Sequence, residues 1–243
     1  VTSWRRPART VHRVTMIIAL LRAVAVAPLG ALSNVSGIFS ASNYYASMGG
    51  ALTANVAALL ITASLVLATL FMVMRSTRVM RSRWVAALLV VLVAGLGPFL
   101  LRDLARGIQL PQAGASTRLW ISWQLALALA GASVLLAGAT AGQVAIGRAR
   151  GVPPITAPLL ALISAILAPL LWKAPGTWPV WYPVCWVLAI GALTLTRRGV
   201  ALVIGAAVVA GAGAATLTWG QVVRARMDLA QHDLPRLSVV DEN

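Results

Sequence analysis

Seven apolar segments, most of them close to 20 residues long, constrain this chain more than any other feature. They run approximately over residues 14–32, 51–74, 84–101, 119–146, 154–172, 178–195 and 199–219. About 20 helical residues cross a hydrocarbon core of about 30 Å, and inside that core the backbone must satisfy its own hydrogen bonds. The segments are too long for barrel strands and lack period-2 alternation. They predict an all-α polytopic membrane bundle of seven transmembrane helices.

Composition excludes an ordinary soluble domain. Hydrophobic residues make up 60% of the chain and charged residues 10%, against about 25% charged in soluble domains. That leaves too little charge to cover a core in water. We expect a multi-pass protein of the cell membrane.

The arginines between the segments predict the topology. One side of the predicted map carries Arg5, Arg6, Arg9, Arg13, Arg75, Arg78, Arg81, Arg83, Arg148, Arg150, Arg197 and Arg198 with no acid. The other side carries seven basic residues and all five acids. By the positive-inside rule, residues 1–13 are a cytoplasmic N-terminus and residues 220–243 an extracytoplasmic amphipathic tail. Trp120, Trp172, Trp178, Trp181 and Trp219 fall at segment ends on the predicted outer face, as an aromatic belt does.

The net charge of +15 suggests nucleic acid as one candidate partner. The arginines, however, form short juxtamembrane clusters without interleaved aromatic residues. Such clusters are typical of orientation signals and of contacts to anionic lipid. We therefore expect the bilayer, with anionic lipid at the cytoplasmic arginines, as the partner, and no nucleic acid.

Residues for catalysis or metal binding are scarce. Cys185 is the one cysteine, and the two histidines, His12 and His232, lie at opposite ends of the chain. No phosphate-binding glycine loop and no zinc motif occurs. The sequence predicts no catalytic site, cofactor or metal in this chain, and whether a larger parent protein is an enzyme stays open.

Polar groups within the segments are the candidate site residues. Arg22 is the clear intramembrane charge, and Asn55 and Gln124 are candidate buried partners for it. The alternative is that the Arg22 side chain snorkels to the inner surface. The uncharged loop 33–50, with Tyr44 and Tyr45, is a further candidate that could line a ligand entrance.

Small residues predict close helix packing. Gly138 and Gly142 form a G-x-x-x-G pattern, and Ala207, Gly211 and Ala215 form a second stripe. We expect both stripes to pack within the monomer, with a homodimer as the alternative.

The last residues suggest that the region continues beyond Asn243. A helix is predicted over Gln221 to His232 and is expected to break at Leu234-Pro235. Ser238 and Asp241 then form a pattern that typically begins a helix. For the first segment, a cleaved signal peptide is the alternative, although Arg22 interrupts its apolar run.

Two stretches carry a resemblance to a known family. Arg102-Asp-Leu-Ala-Arg106-Gly-Ile, followed by Pro111 and Leu119-Trp120-Ile-Ser-Trp123-Gln124-Leu, resembles the multi-pass N-terminal membrane region of bacterial sensor histidine kinases. The stretch from Arg226 to Asp241 resembles the start of the external segment that follows in them. The kinase signatures themselves do not occur in this chain.

The resemblance implies a sensory input region of a two-component system that responds to a ligand or signal of unknown identity. The alternative function is a permease subunit or small-solute transporter, with proline-kinked helices forming the path. An intramembrane enzyme is a weaker third hypothesis, because no reactive cluster lies at membrane depth.

Overall fold

The computed structural model describes residues 5–75, 82–108, 116–147, 155–170, 181–196 and 199–240, and every regular element in these ranges is helical. The α-helices are α1 (Arg5–Val26), α2 (Val56–Arg75), α3 (Arg83–Arg106), α4 (Thr117–Ile146), α5 (Thr156–Leu170), α6 (Trp181–Thr194) and α7 (Val200–Val240). Residues 27–55, named here the α1–α2 loop, contain three short 3-10 helices. The predicted all-α class is confirmed.

Four helices are long and apolar enough to cross a membrane. The qualifying stretches are Val56–Val73, Arg83–Arg106, Thr117–Ile146 and Val200–Val223. Large apolar side chains also project from the outside of the bundle, among them Leu88, Leu96, Ile121, Leu160, Leu188 and Ile204. An apolar exterior of this extent is expected against lipid rather than water, so the chain is a membrane protein. The apolar parts of α1 and α6 are shorter, Thr15–Val26 and Tyr182–Thr194, and seven crossings remain a prediction.

Helix α4 lies at the centre and packs against α2, α3, α6 and α7. Local signals set its ends: the Ser116 hydroxyl accepts from Leu119 N at 3.3 Å, and Gly147 ends the helix in the left-handed conformation. Neighbouring positions across α4 give the helix directions. Gly97 faces Val134, Gly131 faces Ala210, Gly138 faces Ile190, and Gly142 faces Thr194. With the contacts near the helix ends, these pairs make α3 and α7 antiparallel to α4 and α6 parallel to it, as sequential crossings require.

The two small-residue stripes behave differently. A Cβ atom at Gly138 would lie 2.7 Å from Ile190 Cγ2, and one at Gly142 would lie 2.7 Å from Thr194. The α4 stripe therefore packs within the monomer, as predicted. Ala207, Gly211 and Ala215 are exposed instead, and no atom lies within 4 Å of a Cβ built on Gly211. For the α7 stripe the prediction of packing within the monomer was wrong.

The C-terminal ends of α1 and α7 differ from those predicted. Helix α1 ends at Val26, and 3-10 turns over Leu29–Leu32 replace its last predicted turns. Helix α7 continues through Leu234-Pro235 to Val240, so the predicted break is wrong. Proline lacks an N–H and disturbs the preceding turn, yet it does not end this helix. Ser238 consequently lies inside α7 rather than at a helix start.

Candidate functional site at the loop end of the bundle

The three predicted site residues lie in different surroundings. Arg22 is exposed on α1 and makes no hydrogen bond to the residues that the structure describes. Asn55 is buried, and its Oδ1 accepts from Ala58 N at 2.8 Å, which caps the start of α2. Gln124 Nε2 donates to Thr218 Oγ1 on α7 at 3.4 Å. Asn55 and Gln124 thus have partners other than Arg22.

Tyr44 anchors the α1–α2 loop to the end of α3. Its side chain is fully buried, and its hydroxyl donates to Leu104 O at 2.8 Å. Next to it, Tyr45 N donates to Gly107 O at 2.8 Å, and Tyr44 forms an antiparallel bridge with Ile108. A Cβ at Gly107 would lie 2.7 Å from Tyr45 O, so a glycine is required where the loop crosses. We name this side of the bundle the loop end.

Asp103 makes a second connection between the loop and α3. Its Oδ1 accepts from Ser47 Oγ and its Oδ2 from Met48 N, both at 2.9 Å. Charge-assisted bonds of this kind are stronger than neutral ones. Asp103, two residues beyond the third predicted segment, is therefore a structural acceptor for the loop, flanked on its own helix by Arg102 and Arg106.

Burial raises the pKa of the Tyr44 hydroxyl above its ordinary value of about 10, and the negative charge of Asp103 raises it further. Both effects disfavour the phenolate. The hydroxyl therefore stays protonated at neutral pH and remains a donor to Leu104 O.

Aromatic rings and hydrogen-bond donors occupy the same end of the bundle. Trp120 and Trp123 on α4 pack edge to face with ring centroids 5.3 Å apart, as do Tyr182 and Trp186 on α6 at 6.4 Å. Trp123 is fully buried, and its Nε1 has no hydrogen-bond partner among the described residues. On α7, Gln221 Nε2 is also buried and has no partner in that part of the chain.

These two donors lie close to the Gln124–Thr218 contact between α4 and α7. Trp123 precedes Gln124 on α4, and Gln221 lies about one turn beyond Thr218 on α7. An unpaired buried donor costs about 1–3 kcal/mol. Both groups can donate to a carbonyl, carboxylate or phosphate oxygen. The loop end therefore holds two buried donors, one on α4 and one on α7, that have no acceptor among the described residues.

The opposite end of the bundle also has a polar contact. Gln143 Nε2 donates to Thr196 O at 2.6 Å, which joins α4 to the end of α6. Arg83 lies next to Gly147, with its Nη2 3.2 Å from the position of a Cβ on that glycine. A cation at a helix C-terminus is electrostatically favourable.

Most of the predicted lipid-contacting arginines cannot be placed. Arg78, Arg81, Arg148, Arg150, Arg197 and Arg198 lie outside the described residues, as do Trp172, Trp178 and Pro111. The side chains of Arg5 to Arg13 and of Arg75 are likewise outside them. Contact between these clusters and anionic lipid stays a prediction.

Sequence reasoning missed the loop-end contacts of Tyr44 and Asp103. Tyr44 and Leu104 are 60 positions apart, and Ser47 and Asp103 are 56 apart. No periodicity links such distant positions. The one usable signal was an acid just beyond the third predicted segment, with no acid inside any segment.

Comparison of the chain with protein families, curated proteins and solved structures gave no match.

Proposed function

We propose that this chain is the membrane-embedded sensory region of a bacterial signal-transduction protein of the histidine-kinase type. The observation that carries the proposal is the continuity of α7. Of its 41 residues, Val200–Val223 are apolar enough to cross the membrane. The helix then continues without interruption to Val240, about 25 Å farther at 1.5 Å per residue. A continuous helix of this length can carry a movement of the bundle to the extracytoplasmic side, from which a further membrane helix would lead to a cytoplasmic kinase.

The loop end supplies a place where an input can act on that helix. Trp123 and Gln124 on α4 lie beside Thr218 and Gln221 on α7, close to the end of the apolar stretch of α7. A ligand that accepts hydrogen bonds from both helices changes their relative position only if it binds one arrangement better than the other. This contact is the proposed input point, and the region has no catalytic site of its own.

Register insertions in α7 test the proposal in the product of the complete gene. One alanine between Met227 and Asp228 rotates everything beyond it by about 100°, whereas seven alanines rotate it by nearly two full turns. The readout is incorporation of acid-labile phosphate from labelled ATP in inverted membrane vesicles. We expect one alanine to change the phosphorylation level and seven to restore it. Absence of phosphohistidine in the unmodified protein, or a response without helical periodicity, refutes the proposal.

A small-solute transporter is the second candidate, and one observation favours it. Pro98 is buried inside α3, next to Gly97, which packs against Val134. A proline inside a helix removes a backbone hydrogen bond and gives α3 a point of bending. Solute flux into vesicles that contain the purified chain tests this function. A transporter retains its flux after the α7 insertions, because they lie beyond the spanning stretch, whereas the sensor changes its phosphorylation.

A further inference from the structure

The α1–α2 loop has the surface of a lipid-contacting segment. No charged residue occurs between Ala23 and Met74. Within this stretch Val26 is 84% exposed, Val35 77% and Met48 63%. Leu32 and Tyr45 are also exposed. Exposed Ser33, Asn34, Ser42 and Ser47 lie between these apolar residues, so the loop surface mixes apolar and uncharged polar side chains, and exposed apolar side chains of this size mark an interaction surface.

The stretch of helix α1 that follows its last N-terminal arginine, Arg13, is too short to cross the bilayer alone. From Val14 to Val26 it has 13 residues, or about 20 Å against a hydrocarbon core of about 30 Å. Helix α1 packs against α2 and against the 3-10 helix Gly50–Thr53 that precedes α2. With Arg13 at the predicted inner surface, Val26 ends about 10 Å below the outer one. The residues after Val26 must make up this distance.

The exposed Arg22 is compatible with this placement. It lies nine residues after Arg13 on the same helix, or about 13 Å deeper. Side chains in a helix lean toward its N-terminus, and a long arginine side chain extends its charged end to the nearer interface. An arginine at this position can therefore reach the inner surface with its guanidinium, so its charge does not by itself require water around the loop.

The backbone of the loop is hydrogen-bonded as a non-aqueous location demands. Ala31 N donates to Pro28 O, Ser33 N to Gly30 O, and Ser40 N to Gly37 O, at 2.9 to 3.2 Å. The Asn43 side chain donates to Gly37 O at 2.9 Å. Non-helical backbone is tolerated at membrane depth only where its polar groups are paired, and successive 3-10 turns pair them here.

We infer that the α1–α2 loop is seated in the outer leaflet of the bilayer, where Val26, Val35 and Met48 contact lipid. This surface is continuous with the apolar exterior of the helices, and its lack of charge fits the acyl-chain boundary rather than a charged protein partner. Met48 is bonded through its N–H to Asp103 on α3, so the depth of the loop in the leaflet is coupled to α3. The inference goes beyond the proposed sensory function and does not depend on it.

Nitroxide labels measure the depth directly. Single cysteines replace Val35 and Met48 in a chain that also carries Cys185→Ala, in nanodiscs of phosphatidylcholine. The readout is the ratio of collisions with oxygen, which partitions into lipid, to collisions with a water-soluble nickel complex. Leu88→Cys, on the apolar exterior of α3, is the lipid control, and Ala230→Cys, beyond the apolar stretch of α7, is the aqueous control; both positions are exposed.

The ratio of oxygen to nickel collisions at both loop positions is expected to match that of Leu88→Cys within about twofold. It is expected to exceed the ratio at Ala230→Cys at least fivefold. A second measurement uses the unlabelled cysteines and a membrane-impermeant maleimide, with reaction at least tenfold slower at residues 35 and 48 than at residue 230. Because the replaced side chains are exposed, the substitutions remove no buried contact. Aqueous collision ratios at either loop position, or maleimide rates equal to that of Ala230→Cys, overturn the inference.

Discussion

Replacing Tyr44 with phenylalanine isolates one hydrogen bond that holds the α1–α2 loop on α3. The ring is fully buried, and its hydroxyl donates to Leu104 O at 2.8 Å. Tyr44→Phe keeps the ring packing and removes only the donor. A buried hydrogen bond of this kind contributes about 1 kcal/mol net. We therefore expect the free energy of unfolding to fall by about that amount at pH 8.

The pH dependence gives the same substitution a sharper signature. Burial and Asp103 raise the pKa of Tyr44 in the folded protein well above the unfolded value of about 10. The stabilisation from the neutral hydroxyl is thus complete below pH 10 and is lost as the pH rises above it. Each pH unit above 10 costs about 1.4 kcal/mol until the folded pKa is reached. At pH 11 the native chain loses about 1.4 kcal/mol relative to pH 8, and Tyr44→Phe does not.

Unfolding of the purified chain by sodium dodecyl sulfate in mixed micelles, at pH 8 and pH 11, measures both effects. Other titrating groups contribute to both chains alike, so the difference between the two profiles belongs to Tyr44. The difference of about 1 kcal/mol at pH 8 is expected to vanish or reverse at pH 11. Tyr45→Phe, at a half-exposed position, is the matched control and leaves the profile unchanged. Parallel profiles for the native chain and Tyr44→Phe would refute the reasoning.

Three further substitutions probe other contacts. Gly138→Ala places a Cβ 2.7 Å from Ile190 and should lower the free energy of unfolding by about 1–3 kcal/mol. Gly211→Ala has open space around it and should leave the free energy of unfolding unchanged. Equal effects of the two substitutions would contradict the packing. Asp103→Ala removes the acceptor of Ser47 Oγ and Met48 N. This substitution should raise the rate of hydrogen exchange at the Met48 amide at least tenfold, and by more than Ser47→Ala raises it. An unaltered exchange rate would show that Asp103 does not hold the loop. A double-mutant cycle of Gln124→Leu and Thr218→Val should give a coupling of about 0.6 kcal/mol, and zero coupling would mean that the 3.4 Å contact contributes nothing.

The positions of the helices were predictable because one local property determines them. A run of apolar residues in lipid has few options other than a helix, so every predicted segment overlaps a helix in the structure. The ends were less predictable. Helix α1 stops at Val26 although apolar residues continue to Leu32, because Pro28 disfavours the helical conformation at the preceding residue. Helix α7 passes Pro235 although a proline usually ends such a pattern.

The candidate site was less predictable than the fold because its contacts are long-range. The sequence marked Asn55 and Gln124 as polar residues in apolar surroundings, but could not show that Asn55 caps its own helix while Gln124 reaches α7. Tyr44 was identified only as part of an uncharged loop, and its burial depends on Leu104 and Gly107. The two small-residue stripes look alike in sequence, and only the positions of neighbouring helices show that one is packed and the other exposed.

Packing at the centre of the bundle restricts how the helices can move relative to each other. Gly138 and Gly142 bring α4 within direct contact of Ile190 and Thr194 on α6, and the Gln143 bond to Thr196 O continues this contact to the helix end. A shift between α4 and α6 must therefore break close packing over several turns. Between α4 and α7, a Cβ on Gly131 would lie 3.4 Å from Ala210 Cβ, and the polar bond is the longer Gln124–Thr218 pair. The packing of α7 on α4 is nevertheless more extensive than that of α6 on α4. A shift of α7 against α4 must therefore also break close packing, and the Gln124–Thr218 pair is one local contact within it.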